Sequence, residues 1–200
     1  TKRLNEKYPD EKFPKFHFLY RFRQWNEKEE CFLGWERKRG LLSQFNNYLL
    51  KNSKNEFRVN TIDLEKLPNI KYVITLDAEL VLNTGLELIG AMSHILNKPD
   101  IEDGIVKSGH GILQPRVGIS LLAADKSKFA QIYSGSPGID SYTNAISDIY
   151  QDNFEEGIFT GKGIYDLRAF SEVLKNQIPD NTVLSHDLLE GCYLRCGLAS

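Results

Sequence analysis

The run Ile70-Lys-Tyr-Val-Ile-Thr-Leu76, ending in Asp77-Ala78-Glu79, constrains this chain more than any other. A short apolar run rich in β-branched and aromatic residues reads as a buried strand. Helical patterns flank it. Leu41, Leu42, Phe45, Tyr48 and Leu49 recur at helical spacing between Trp35 and about Leu50. Thr84 and Glu87 form a capping-box start for a predicted helix that runs to about Leu96. Further helices are predicted over Lys126–Tyr133, Tyr142–Tyr150, Asp166 to about Leu174, and Asp187–Arg195, the last stopped by Gly197.

Further strands are predicted at Phe16–Phe22 and His110–Val117, where Pro115 marks a sheet edge or a strand end. Gln24–Glu30 reads as a polar hairpin-like segment leading to Cys31–Gly34. Lys51–Asn60 and Asn97–Gly104 read as loops, and Phe154–Tyr165 as a glycine-rich stretch. Strands alternating with helices predict an α/β fold with a mostly parallel sheet flanked by helices. Such sheets bind ligands beyond the carboxyl ends of their strands. The 200 residues suit one domain, with residues 1–15 peripheral and 16–200 forming the α/β core.

With 25 basic against 27 acidic residues, nothing global draws the chain to nucleic acid or an anionic membrane. No apolar stretch has transmembrane length and no signal peptide is visible. The chain opens at Thr1 and stops at Ser200 directly after Cys-Gly-Leu-Ala, as expected of a piece of a longer protein. The three cysteines, Cys31, Cys192 and Cys196, are too few and too uneven for a disulfide framework and fit a reducing compartment. Cys192 and Cys196, with His186 before them, make a weak zinc pattern and are expected to be small core residues instead.

Asp77 and Glu79 stand two apart, so an extended path sends both carboxylates to one face. Oxygen ligands of this kind suit a hard divalent cation that bridges to phosphate. Two solvated acids before a turn are the plainer alternative. In Ser185-His186-Asp187-Leu-Leu-Glu190-Gly191, Asp187 and Glu190 can cap a helix, or Asp187 can act as a general base kept ionised by the helix N-terminus. Phe159-Thr-Gly161-Lys162-Gly163 allows close backbone approach to a ligand or simply turns; it lacks the pattern of a triphosphate-binding loop. Arg37, Lys38 and Arg39 at a helix start oppose the helix dipole, so either an anionic ligand or solvation must offset them. Trp25 and Trp35 fit either a core or a sugar-stacking role.

Taken in order, the motifs are more specific than any one of them. They are Trp25-Asn-Glu-Lys-Glu29, Gly34-Trp-Glu-Arg-Lys-Arg-Gly40, Tyr72-Val-Ile-Thr-Leu-Asp-Ala-Glu79 and Gly111-Ile-Leu-Gln-Pro-Arg116. Ser147-Asp-Ile-Tyr-Gln-Asp152, Gly161-Lys-Gly-Ile-Tyr-Asp166 and Leu184-Ser-His-Asp-Leu-Leu-Glu-Gly191 follow. From about residue 16 to its end the chain resembles the glycosyltransferase domain of cyclic β-1,2-glucan synthases, which are related to processive inverting enzymes such as cellulose synthase.

The resemblance implies a GT-A, Rossmann-like fold truncated at both ends. It implies inverting transfer of glucose from UDP-glucose to the 2-hydroxyl of a growing glucan chain, with Mg²⁺ or Mn²⁺ as cofactor. Asp77 and Glu79 then match the metal-holding motif, and Asp187 the catalytic base. Lys38, Arg39, Gly40, Asp77, Gly161, Lys162 and Gly163 fall on the donor side; Gln114, Arg116 and His186 fall on the acceptor side. The resemblance also implies a large multidomain membrane protein, with this domain at the cytoplasmic face of the inner membrane. Glu79 departs from the aspartate usual there, and nucleotide- and acceptor-binding segments lie beyond both ends, so the fragment alone is expected to be inactive. The alternative function is a non-catalytic module that binds nucleotide sugar or glucan. A dinucleotide-dependent oxidoreductase is disfavoured, since no Gly-x-Gly-x-x-Gly follows a strand.

Overall fold

The computed structural model describes residues 1–53, 56–78, 82, 85–117, 125–133, 149–183 and 185–199. The chain divides into two compact units, Thr1–Lys71 with Lys175–Leu184, and Tyr72–Leu174 with Ser185–Ser200.

The first unit contains α1 (Lys2–Lys7), β1 (Leu19–Arg21), β2 (Gln24–Asn26), β3 (Cys31–Leu33), α2 (Arg37–Leu49) and β4 (Phe57–Asn60). The hairpin expected over residues 24–34 forms, with Trp25 opposite Phe32. β1 pairs antiparallel with β4, a strand in a stretch read from sequence as a loop. Tyr48 of α2 packs edge-on against Phe57 of β4, and both are buried. That packing, rather than local propensity, makes residues 57–60 a strand.

The second unit contains β5 (Tyr72–Thr75), α3 (Gly85–Ser93), β6 (Asp100–Glu102), β7 (Ile105–Ser108), β8 (Ile112–Pro115), α4 (Lys128–Tyr133), α5 (Ile149–Phe154), β9 (Gly163–Asp166), α6 (Leu167–Val173), α7 (Asp187–Tyr193) and β10 (Gly197–Ala199). Its four-stranded sheet has the order β10-β8-β9-β5. β10 runs parallel to β8, while β9 is antiparallel to both of its neighbours. Three strands therefore share one direction with β9 reversed among them, a mixed sheet in which one of these three pairings is parallel.

Successive strand residues face opposite sides, and β9 uses both. Ile164 joins Leu113 and the α3 residues Leu88 and Met92 in a buried cluster. Tyr165, wholly buried, stacks on Phe170 of α6 at 4.2 Å. Helices thus cover both faces of the sheet, the layering expected of an α/β fold.

Several elements differ from the sequence reading. β6 and β7 form a hairpin where a loop was expected, and β9 emerges from the glycine-rich stretch. Gly197 starts β10 instead of only stopping a helix. α3 ends at Ser93 and a 3-10 turn, Ile95–Asn97, follows it. Pro115 ends β8, an inner strand. Cys196 is buried as expected, but Cys192 is exposed. Thr84, Glu79 and the part of the predicted Tyr142–Tyr150 helix before residue 149 lie outside the described residues. No helix among the described residues is long and apolar enough to cross a membrane.

Candidate active site at one edge of the sheet

The reversal of β9 decides what meets at the sheet edge. Thr75, the last residue of β5, pairs with Gly163, the first of β9. The chain leaving β5 at Leu76-Asp77 therefore runs beside the chain entering β9 at Gly161-Lys162. The Lys162 ammonium lies 3.2 Å from the Asp77 carboxylate, both side chains being about one-third exposed. The buried Thr75 hydroxyl donates to the Gly161 carbonyl at 3.2 Å, tying the two segments together.

Asp187 arrives from the start of α7 and lies against the same segment. Gly161 has φ +80°, and a Cβ there would fall 2.7 and 2.8 Å from the two carboxylate oxygens of Asp187. Glycine is required twice over, by the left-handed backbone and by the closeness of the carboxylate. Asp187 is the first helical residue; the N-cap is His186, which makes no capping side-chain bond. The capping role expected for Asp187 is thus not the one it has.

His186 and Glu190 were not recognised together from sequence, although their i, i+4 spacing is the available signal. Glu190 is 1% exposed, and its Oε1 lies 2.8 Å from Nδ1 of the buried His186. Asp187 Oδ1 is 3.8 Å from the same nitrogen. The potential ligand atoms of His186, Asp187 and Glu190 lie within 4.8 Å of one another. With its imidazole held against a buried carboxylate, His186 orients the start of α7.

Two residues expected to meet ligand have interior tasks. Gln114 is fully buried; its Oε1 accepts from the Thr160 amide at 2.9 Å and its Nε2 donates to the Pro115 carbonyl at 2.9 Å. It anchors the 159–163 loop to β8 rather than offering a polar group to an acceptor. A Cβ on Gly163 would stand 2.3 Å from the Leu113 carbonyl, so this glycine serves strand packing. Arg116 is exposed just beyond β8.

Lys38, Arg39 and Gly40 belong to the first unit. The Arg39 guanidinium binds Glu36, Asp180 and the Ile178 carbonyl, and Arg37 binds Glu29. Carboxylates of the protein thus supply the compensation that an anionic ligand could have supplied at this helix start. Gly40 is fixed by packing, since a Cβ would reach 1.9 Å from the Trp35 carbonyl.

Carboxylate oxygens are the donor set a hard divalent cation takes, and Asp77 already stands beside a cation in Lys162. The partly exposed Asp77 carboxylate has the right donor atoms, but a cation there would have to share it with, or displace, the Lys162 ammonium. The second expected ligand, Glu79, lies outside the described residues.

No protein-family model matches the chain. Over 202 aligned positions it is 39% identical to the cyclic beta-(1,2)-glucan synthase NdvB of Rhizobium meliloti (strain 1021). The alignment covers 98% of this chain and 7% of that protein. The chain is related to a segment of that synthase. Identity at this level across nearly the whole chain includes both units, so the relationship extends beyond the residues at the sheet edge.

Proposed function

We propose that this chain is part of a glycosyltransferase that builds a β-1,2-glucan, and that the edge formed by Asp77, Gly161, Lys162 and Asp187 is its transfer site. The observation that carries this reading is the Asp187 carboxylate lying against Gly161, next to the residue that pairs with Asp77. Two acids with separate surroundings suit two tasks. Asp187 takes the proton from the attacking sugar hydroxyl, whose oxygen bonds to the anomeric carbon of UDP-glucose while the bond to the diphosphate breaks. Attack opposite the leaving group inverts that carbon. Lys162 and Asp77 orient the diphosphate side, and Asp77 with Glu79 would hold Mg²⁺ or Mn²⁺. When bound, such a cation neutralises charge on the departing UDP.

The test uses the intact synthase that contains this segment. Asp187→Asn should lower glucan formation by about 10²–10⁴-fold, with the Kd for UDP changed by less than about twofold. Transfer near the original rate, or loss of UDP binding in parallel with loss of transfer, would refute this division of tasks.

A further inference from the structure

The first unit contains a cleft of about 370 Å³, lined by the β2–β3 hairpin, Trp35, Glu36, Asp180 and Asn181. That is within the roughly 300–1,000 Å³ range of small-ligand sites. Its floor is held by bonds between segments distant in sequence. The Asn181 amide donates to Glu36 Oε1 at 2.6 Å, and Asn26 Nδ2 donates to Asn181 Oδ1 at 2.8 Å. Lys28 Nζ donates to the Asn181 carbonyl at 2.7 Å, and the Trp35 indole N–H donates to Asp180 at 3.0 Å. Arg39 covers the Trp35 ring at 5.8 Å and binds Asp180.

The groups left facing outward have a definite character. Trp25 is 54% exposed although Phe32 touches its ring at 5.2 Å. Gln24 and Glu27 are exposed, and their side chains make no hydrogen bond or ion pair among the described residues. Lys28, the one cation lining the cleft among the described residues, donates to the Asn181 carbonyl, and the acids Glu27, Glu36 and Asp180 line it too, which disfavours a phosphate-bearing ligand. An aromatic plate beside an amide and a carboxylate suits a neutral ring that offers C–H groups on one face and hydroxyl donors at its rim.

We infer that this cleft is a saccharide site that holds a pyranose unit of a glucan chain on the open ring of Trp25. The identity of the sugar rests on the proposed glucan chemistry; the saccharide character rests on the cleft itself.

The 200-residue chain, isotopically labelled, is titrated with a β-1,2-linked glucose trisaccharide and followed by NMR. Saturable shifts are expected for the Trp25 indole N–H and the Gln24 side-chain amide. Trp25→Ala should weaken binding by up to about tenfold, read from the Asn26 and Asn181 amides. Phe22→Ala, which removes an exposed ring that does not line the cleft, should leave binding unchanged. If Trp25→Ala does not fold, Gln24→Ala takes its place, with a weakening of about threefold expected. Absence of saturable shifts at millimolar trisaccharide, equal affinity in the variant, or stronger shifts of the same signals with inorganic phosphate or UDP would overturn the inference. The titration requires no transfer, so its failure leaves the Asp187→Asn result standing, and the reverse also holds.

Discussion

Gly161→Ala tests the link between backbone and carboxylate most directly. The substitution adds one methyl at φ +80° with Asp187 Oδ2, Oδ1 and Cγ at 2.7, 2.8 and 2.9 Å. A left-handed backbone costs a non-glycine residue about 1–2 kcal/mol. The overlap costs a further ~1–3 kcal/mol unless the carboxylate swings aside. The sum is about 2–5 kcal/mol, read as a fall in unfolding free energy by chemical denaturation. If the carboxylate does swing, part of that cost becomes lost transfer in the intact protein, on the role proposed for Asp187, since a displacement near 1 Å can lower a rate by ~10²-fold. A double-mutant cycle with Asp187→Ala separates the terms: the overlap should vanish, leaving the ~1–2 kcal/mol backbone cost. Gly90→Ala is the control. Gly90 lies inside α3 with nothing within 4 Å of its added Cβ, so alanine should stabilise by about 0.5–1 kcal/mol. Gly161→Ala as stable as the parent, with unchanged transfer, would refute the close approach of Asp187.

Two further outcomes follow from the charged groups. Arg39→Ala leaves the largely buried Glu36 carboxylate without its guanidinium and should destabilise the first unit by about 2–4 kcal/mol; Arg39→Lys should recover less than half of this, because an ammonium cannot fork to three acceptors. Denaturation followed by tryptophan fluorescence measures both. Burial holds the His110 imidazole below the ordinary histidine range, opposed by its bond to the Arg195 carbonyl, while nearby Arg195 lowers it and Glu155 and Glu156 raise it. Below about pH 6.5 the unfolded chain binds a proton that the folded chain does not. Stability should therefore fall as pH drops from about 6.5 towards the folded-state value. His110→Gln should flatten that slope in unfolding free energies measured from pH 7.5 to 5.

Helices were the most legible part of the fold, because an amphipathic period is written in neighbouring residues. α2 starts and stops within two residues of its expected bounds, and α6 takes Asp166 as its cap, the side chain accepting from the Arg168 and Ala169 amides. Short strands were less legible. β4, β6, β9 and β10 have three or four residues each, and their identity comes from partners elsewhere in the chain. Residues 159–163 read as a ligand-approaching loop or a plain turn, and Gln114 and Thr75 bind that loop from two different strands.

The same division holds at the candidate site. Adjacent residues were enough to show that an acid follows a strand at Asp77 and that another opens a helix at Asp187, but not that β5 is an outer strand with only Thr75 buried. Nor could the sequence determine that the two acids share an edge. That depends on β9 running antiparallel between β5 and β8, which sends Gly161 and Lys162 out where β5 ends. Tertiary structure also decided that Arg39 answers to Glu36 and Asp180, and that Gln114 faces inward. A charge or amide chooses its partner by proximity in space, and only the folded chain sets that distance.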